Sequence, residues 1–80
     1  MTNTAVPLRS TEEVASDIGN NIRQILSEQG HNLEWLAGEI GIGVHTILAQ
    51  FAEKVELWLV LDAAVYLNVP IARILGDDRA

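Results

Sequence analysis

Apolar residues recur every three or four positions along most of this chain, the spacing that aligns side chains on one face of an α-helix. The longest stripe runs from Val14 to Leu26. Turn-forming residues interrupt the pattern at Gly30, at 41–43 and at 68–70. The sequence therefore predicts an all-α fold of five helices.

Capping residues predict where these helices begin and end. Ser10 and Glu13 have the S-x-x-E spacing of a capping box, which predicts that the first helix starts near Thr11. Asn32 is a favourable N-cap for the second helix, and Pro70 suits the start of the fifth. The predicted helices span residues 11–29, 33–40, 44–54, 56–67 and 71–75.

The composition is that of one small globular domain. Apolar residues make up 49% of the 80 residues and charged residues 20%, which is enough for a core. We predict a domain over residues 11–76, preceded by a flexible arm (1–10) and followed by a polar tail (77–80). No cysteine is present, so a reducing compartment is expected. No apolar run reaches the roughly 20 residues that cross a bilayer, and the N-terminus lacks a signal-peptide pattern, so we predict a cytoplasmic protein.

The charge balance limits the class of partner. Five basic residues stand against eleven acidic ones, a formal net charge of −6. Non-specific binding to nucleic acid depends on Lys and Arg at phosphates, so this composition argues against a strong, indiscriminate nucleic-acid binder. It leaves room for a local basic site on an acidic body.

Catalytic and metal-binding patterns are missing from the sequence. His31 and His45 fall on different predicted elements, and neither has a histidine or carboxylate four residues later. No nucleophile–base arrangement or glycine-rich phosphate loop is present. We therefore predict that the protein is not an enzyme and has no catalytic residue, metal site or cofactor.

The most informative motif spans the second and third predicted helices. Ala37 is a small residue where two helices can cross, Gly41 follows four residues later in the turn, and Ile47 follows six residues after that. This spacing resembles the lambda-repressor/Cro type of helix-turn-helix domain, a family of phage and bacterial regulators. Residues 22–23, 67–70 and 74–75 resemble the family's flanking helices, so the likeness covers about residues 17–76.

The resemblance implies binding to double-stranded DNA, with the third helix (44–54) in the major groove. It implies a small transcriptional regulator, a repressor acting as a dimer. The positions that usually face the bases are occupied by Gly43, Val44, His45 and Leu48, and the neighbouring Thr46 hydroxyl offers a further contact. The positions that often meet phosphates are occupied by Arg23 and Lys54.

The sequence departs from the family at polar positions, and this leaves a second hypothesis open. Leu33 stands where the family commonly has glutamine, and Gly43 and Val44 stand where it commonly has a hydroxyl residue and an arginine. The alternative is a helix-turn-helix scaffold that does not bind DNA. It would act through apolar helix faces as a protein–protein interaction or anti-regulator module.

The fourth predicted helix is apolar almost all round. Periodicity alone does not separate a helix from a buried strand over residues 55–61, but the length and the pair Ala63 and Ala64 favour a helix. In the family register Trp58, Val65 and Tyr66 fall on its outer side, with Val55 and Val69 as candidates to extend the stripe. Exposed apolar patches mark interfaces, so we predict a homodimer or a protein partner here. Burial of Trp58 in the core is the competing interpretation.

Overall fold

The computed structural model describes residues 9–76, which form five α-helices. They are α1 (Thr11–Gln29), α2 (Leu33–Ile40), α3 (Val44–Ala52), α4 (Leu57–Leu67) and α5 (Ile71–Leu75). The described part of the chain contains no strand, so the all-α prediction is confirmed. The predicted boundaries agree to within one residue except at α3, which ends at Ala52 rather than at residue 54. The predicted tail (77–80) and residues 1–8 of the predicted arm lie outside the described residues.

The capping box at the start of α1 is present as predicted. Ser10 Oγ accepts a hydrogen bond from the Glu13 backbone N–H at 3.0 Å, and the Glu13 carboxylate accepts one from the Ser10 N–H at 3.1 Å. These bonds satisfy two groups that a helix N-terminus leaves without partners. Ser10, assigned to the arm in the prediction, is therefore the N-cap of α1. Arg9 beside it forms a salt bridge with Asp17.

Helix α1 is the central element of the fold. It packs against α3, α4 and α5, while α2 packs against α3 and α4. Burial of a large apolar side chain contributes about 1.5–3 kcal/mol to the stability of the fold. The largest fully buried side chains are Ile22, Ile25, Leu26, Leu36, Ile47, Leu59, Leu67 and Ile74.

Polar side chains of α1 also hold the C-terminal helices. Asn21 Nδ2 donates to the Ile74 carbonyl at 2.9 Å, and Gln29 Nε2 donates to the Leu67 carbonyl at 2.8 Å. These carbonyls lie in last turns, where a helix has no acceptor partners of its own. Helices α4 and α5 are therefore anchored to α1 by hydrogen bonds as well as by apolar packing.

Between residues 9 and 76, no helix is both long enough and apolar enough to cross a bilayer.

Helices α1 and α3 approach each other closely at Gly19. A β-carbon at this position would lie 2.7 Å from Phe51 Cγ and 3.1 Å from Phe51 Cβ, which is too short for non-bonded carbons. The missing side chain lets the Phe51 ring rest on the α1 backbone. Phe51 is consequently only 7% exposed.

We expect Gly19→Ala to lower the free energy of unfolding by about 1–3 kcal/mol, the cost of overpacking, although alanine is the better helix former. Gly38→Ala is the matched control, because Gly38 also lies within a helix but a β-carbon there meets no atom within 4 Å. That variant should gain up to about 1 kcal/mol. Urea unfolding followed by circular dichroism measures both. Equal stabilisation by the two alanines would contradict the close approach.

Candidate nucleic-acid interface

A tight turn at 41–43 joins α2 to α3. Gly41 adopts the left-handed conformation with φ 90°, and its N–H donates to the Ala37 carbonyl at 2.8 Å. The Ile42 N–H donates to the same carbonyl at 3.0 Å. A residue with a β-carbon is strained at this φ, so glycine is required for the turn.

The three residues of the predicted motif hold α2 and α3 together. Ala37 is 4% exposed and Ile47 is fully buried, and both belong to one apolar core. Ala37 is a small residue on α2, and α2 packs against α3, which contributes Ile47 to the same core. The structure therefore places Ala37 and Ile47 in the core shared by α2 and α3, with Gly41 at the end of α2.

The outer face of α3 carries His45, Thr46, Leu48, Ala49 and Ala52, all of which are exposed. His45, Ala49 and Ala52 are spaced i, i+4 and i+7, so they lie on one side of the helix. The two alanines were not predicted as site residues, although this spacing from His45 could have identified them. Val44, which was predicted to face bases, is half-buried and packs against the core.

The start of α3 is open. Gly43 is its N-cap and makes no side-chain capping bond, and a β-carbon there would meet open space. Gly43 can therefore offer a partner backbone groups but no side-chain contact.

Gln50, the one amide side chain on α3, is already engaged. Its Oε1 accepts a hydrogen bond from the Glu56 backbone N–H at 2.8 Å, across the turn into α4. This bond links the end of one helix to the start of the next, and it accompanies the early end of α3 at Ala52. Lys54 consequently lies in the connection after α3 rather than on the helix.

Two of the four basic side chains within residues 9–76 are paired with carboxylates. Arg9 pairs with Asp17, which raises the pKa of the guanidinium by a hydrogen bond and by its charge. Arg73 pairs with Glu28 at 2.6 Å. Arg23 and Lys54, the predicted phosphate contacts, are exposed and form no ion pair with a described residue.

Arg23 is positioned beside α3 by an aromatic ring. Its guanidinium carbon lies 5.8 Å from the centroid of Phe51, within the range of a cation–π contact. The structure thus brings Arg23 to the flank of the outer face of α3, while Lys54 follows the C-terminal end of the same helix.

A groove of about 540 Å³ separates the second half of α1 from the first turns of α2 and α3. Leu33, Val44 and Leu48 supply apolar lining, while Arg23 and Glu34 supply charges of opposite sign. His31 also lines the groove, and its ring stacks on Trp35 with centroids 3.7 Å apart. Arg23 and Glu34 therefore face the same groove with opposite charges.

The outer face of α4 is largely apolar and exposed. It consists of Leu57, Trp58, Leu61 and Val65, with Tyr66 at its edge and the half-buried Asp62 between Trp58 and Tyr66. Leu57 is 69% and Val65 72% exposed, against 38% for Trp58, 41% for Leu61 and 42% for Tyr66. Trp58, Val65 and Tyr66 are thus on the surface as predicted. Leu57 and Leu61 join them.

Two further residues, Val55 and Val69, were candidates to extend this face, but neither lies on it. Val55 and Val69 are half-buried and pack against the core instead, because they lie in the turns that flank α4. Trp58 is not a core residue, and its Nε1 donates to the Glu56 carboxylate at 2.9 Å.

The described residues contain no group of three or more histidines and carboxylates that could hold a metal ion. Comparisons of the chain with known protein families, with curated proteins and with solved structures find no match.

We expect Gln50→Ala to lower the free energy of unfolding by about 1 kcal/mol, because the Glu56 N–H loses its acceptor. Gln24→Ala is the control, since Gln24 lies on the exposed side of α1 and its side chain makes a long hydrogen bond of 3.4 Å to the Glu28 carboxylate on the same helix. Urea unfolding of the two variants measures the difference. If both are neutral, the Gln50 bond does not stabilise the turn.

Proposed function

We propose that this protein is a small cytoplasmic DNA-binding transcriptional regulator, a repressor similar to the lambda-repressor/Cro type, that binds duplex DNA as a dimer with α3 in the major groove. The observation that carries the proposal is the distribution of charge around α3. Arg23 and Lys54, which form no ion pair with a described residue, flank a nine-residue helix without a charged side chain.

Carboxylates near DNA phosphates are repelled by them, so acidic residues on a helix that enters a groove weaken binding. The net charge of −6 is a property of the whole chain, and none of its acidic residues falls within α3. The nearest carboxylates lie outside the helix, at Glu34 across the groove and at Glu53, the C-cap of α3. A local surface on which cations flank an uncharged helix can bind DNA at selected sites, while the rest of an acidic body is repelled. This arrangement favours a specific binder over an indiscriminate one.

The geometry of the α2–α3 pair supports the same function. The turn at Gly41 and the packing of Ala37 and Ile47 resemble a helix-turn-helix, in which residues at the start of the second helix contact base edges. His45 and Thr46 are exposed at the start of α3. A bound dimer would act by excluding other proteins from the same DNA.

The outer face of α4 is the proposed dimer contact. It lies on a different helix from the outer face of α3, so a second copy can pack on α4 while α3 contacts DNA. Leu57 and Val65 are each about 70% exposed, so a second copy packed on this face would remove most apolar area from water at these two residues. A two-fold dimer would present two copies of α3 to half-sites one duplex turn apart.

A second candidate function is a protein–protein interaction or anti-regulator module. The observation that favours it is the apolar character of both outer faces in a chain of net charge −6. Salt separates the two candidates, because phosphate contacts weaken steeply as salt rises whereas apolar contacts hold or strengthen.

The proposal is tested by selecting ligands from a pool of random duplex DNA at low and at physiological salt, with the recovered sequences read out. We expect a palindromic site to be enriched. Absence of retention even at low salt would reject DNA binding and favour a protein partner.

Substitutions of Arg23 and Lys54 test the phosphate contacts. Arg23→Gln and Lys54→Gln should each weaken binding to all sequences and reduce the slope of log affinity against log salt by about one, because each variant leaves one phosphate without its cation. Arg9→Gln removes the same charge from a residue already paired with Asp17, so it should leave the slope unchanged. Equal effects of all three variants would show that net charge matters and that the flanking positions do not.

The dimer contact is tested with a matched pair of variants. Val65→Glu should dissociate the dimer in sedimentation equilibrium, because it places a carboxylate in the apolar outer face of α4. The fold should be retained, since Val65 is 72% exposed. Val14→Glu makes the same change at another exposed valine, on α1, and should leave the oligomeric state unchanged. A monomeric parent protein would contradict the dimer.

A further inference from the structure

The outer face of α3 lacks the side chains that most often discriminate bases. Bidentate recognition of guanine and adenine relies on Arg, Lys, Asn or Gln. Gln50 is the one such residue on α3, and its Oε1 is occupied by the Glu56 N–H. What remains exposed is the His45 ring, the Thr46 hydroxyl, and the methyl or methylene groups of Thr46, Leu48, Ala49 and Ala52.

Such a surface can still discriminate between base pairs. In the major groove the apolar group on an unmodified base is the C5-methyl of thymine. A cytosine methylated at C5 presents the same group. Aliphatic side chains gain by covering this methyl group, and they gain nothing from the amino and carbonyl groups of other bases.

We propose that α3 recognises its DNA site chiefly through C5-methyl groups of pyrimidines, with His45 supplying the directional hydrogen bond. The inference rests on the DNA-binding function proposed above. Residues 45–52 extend for about 10 Å along the helix at about 1.5 Å per residue. With base pairs about 3.4 Å apart, this face covers about three consecutive pairs in each half-site.

Affinity and specificity then come from separate groups. Arg23 and Lys54 contact phosphates, which are the same in every sequence. The outer face of α3 supplies the discrimination. Removal of the methyl groups from DNA should therefore reduce affinity for the preferred site without changing the salt dependence of binding.

The experiment replaces thymine by deoxyuridine in the site recovered from the random pool. Deoxyuridine keeps the hydrogen-bonding groups and the backbone of thymidine and lacks only the C5-methyl group. We expect the deoxyuridine duplex to bind about tenfold more weakly, with an unchanged salt slope. Equal affinities of the two duplexes would overturn this inference and leave DNA binding intact. Failure of the thymine duplex to bind would overturn both proposals.

A second arm distinguishes the two sources of the methyl group. At each sensitive position a T·A pair is replaced by C·G, with the cytosine either unmodified or methylated at C5. Tighter binding of the methylated duplex supports recognition of the methyl group from either base. Equal binding of both cytosine duplexes restricts the recognition to thymine.

Protein variants connect the effect to α3. Leu48→Ala should reduce the ratio of affinities for the thymine and deoxyuridine duplexes, because it shortens an aliphatic contact. Leu75→Ala is the matched control on α5, since the two leucines are 41% and 44% exposed. His45→Ala should weaken both duplexes and leave the ratio unchanged. An unaltered ratio in Leu48→Ala, with circular dichroism showing a folded protein, would exclude Leu48 from the methyl contact.

Discussion

The packing of Phe51 on the backbone at Gly19 determines where the candidate DNA-binding helix lies. A glycine in the middle of α1 costs helix propensity, but it lets α3 approach more closely than any side chain would allow. The same ring lies 5.8 Å from the guanidinium carbon of Arg23. One aromatic side chain therefore fixes α3 against the centre of the fold and holds a cation at its flank. Because α2 packs against α3, and Ala37 and Ile47 lie in one core, the position of α2 depends on this contact as well.

The turn after α3 shows how stability and recognition compete for one residue. Gln50 carries the one amide on the helix, and amides are well suited to contact bases. Its Oε1, however, accepts a hydrogen bond from the Glu56 N–H, which joins α3 to α4. Loss of this hydrogen bond would cost stability. The chain thus uses its one amide on α3 for the fold. Under the proposed function, recognition then falls to His45 and to methyl groups.

Local signals predicted the helices well because the forces that set their boundaries act over a few residues. The capping box at Ser10 and the left-handed glycines at Gly30 and Gly41 are such signals. The engagement of Gln50 was not predictable, since it depends on a turn whose path is set by tertiary packing. The ion pair of Arg73 was not predictable either, because it depends on the distance between two helices. Arg73 contacts Glu28, which lies 45 positions away in the sequence.

Under the proposed function, the acidity of the chain has a consequence for specificity. Non-specific affinity grows with the number of phosphates neutralised, and an acidic body limits that number while repelling the duplex elsewhere. The ratio of specific to non-specific affinity matters more in a genome than the affinity itself. A few apolar contacts, each weak, can therefore suffice for discrimination when the competing non-specific binding is weak too. The net charge of −6 and the methyl-bearing face of α3 are then complementary features of one selective DNA-binding protein.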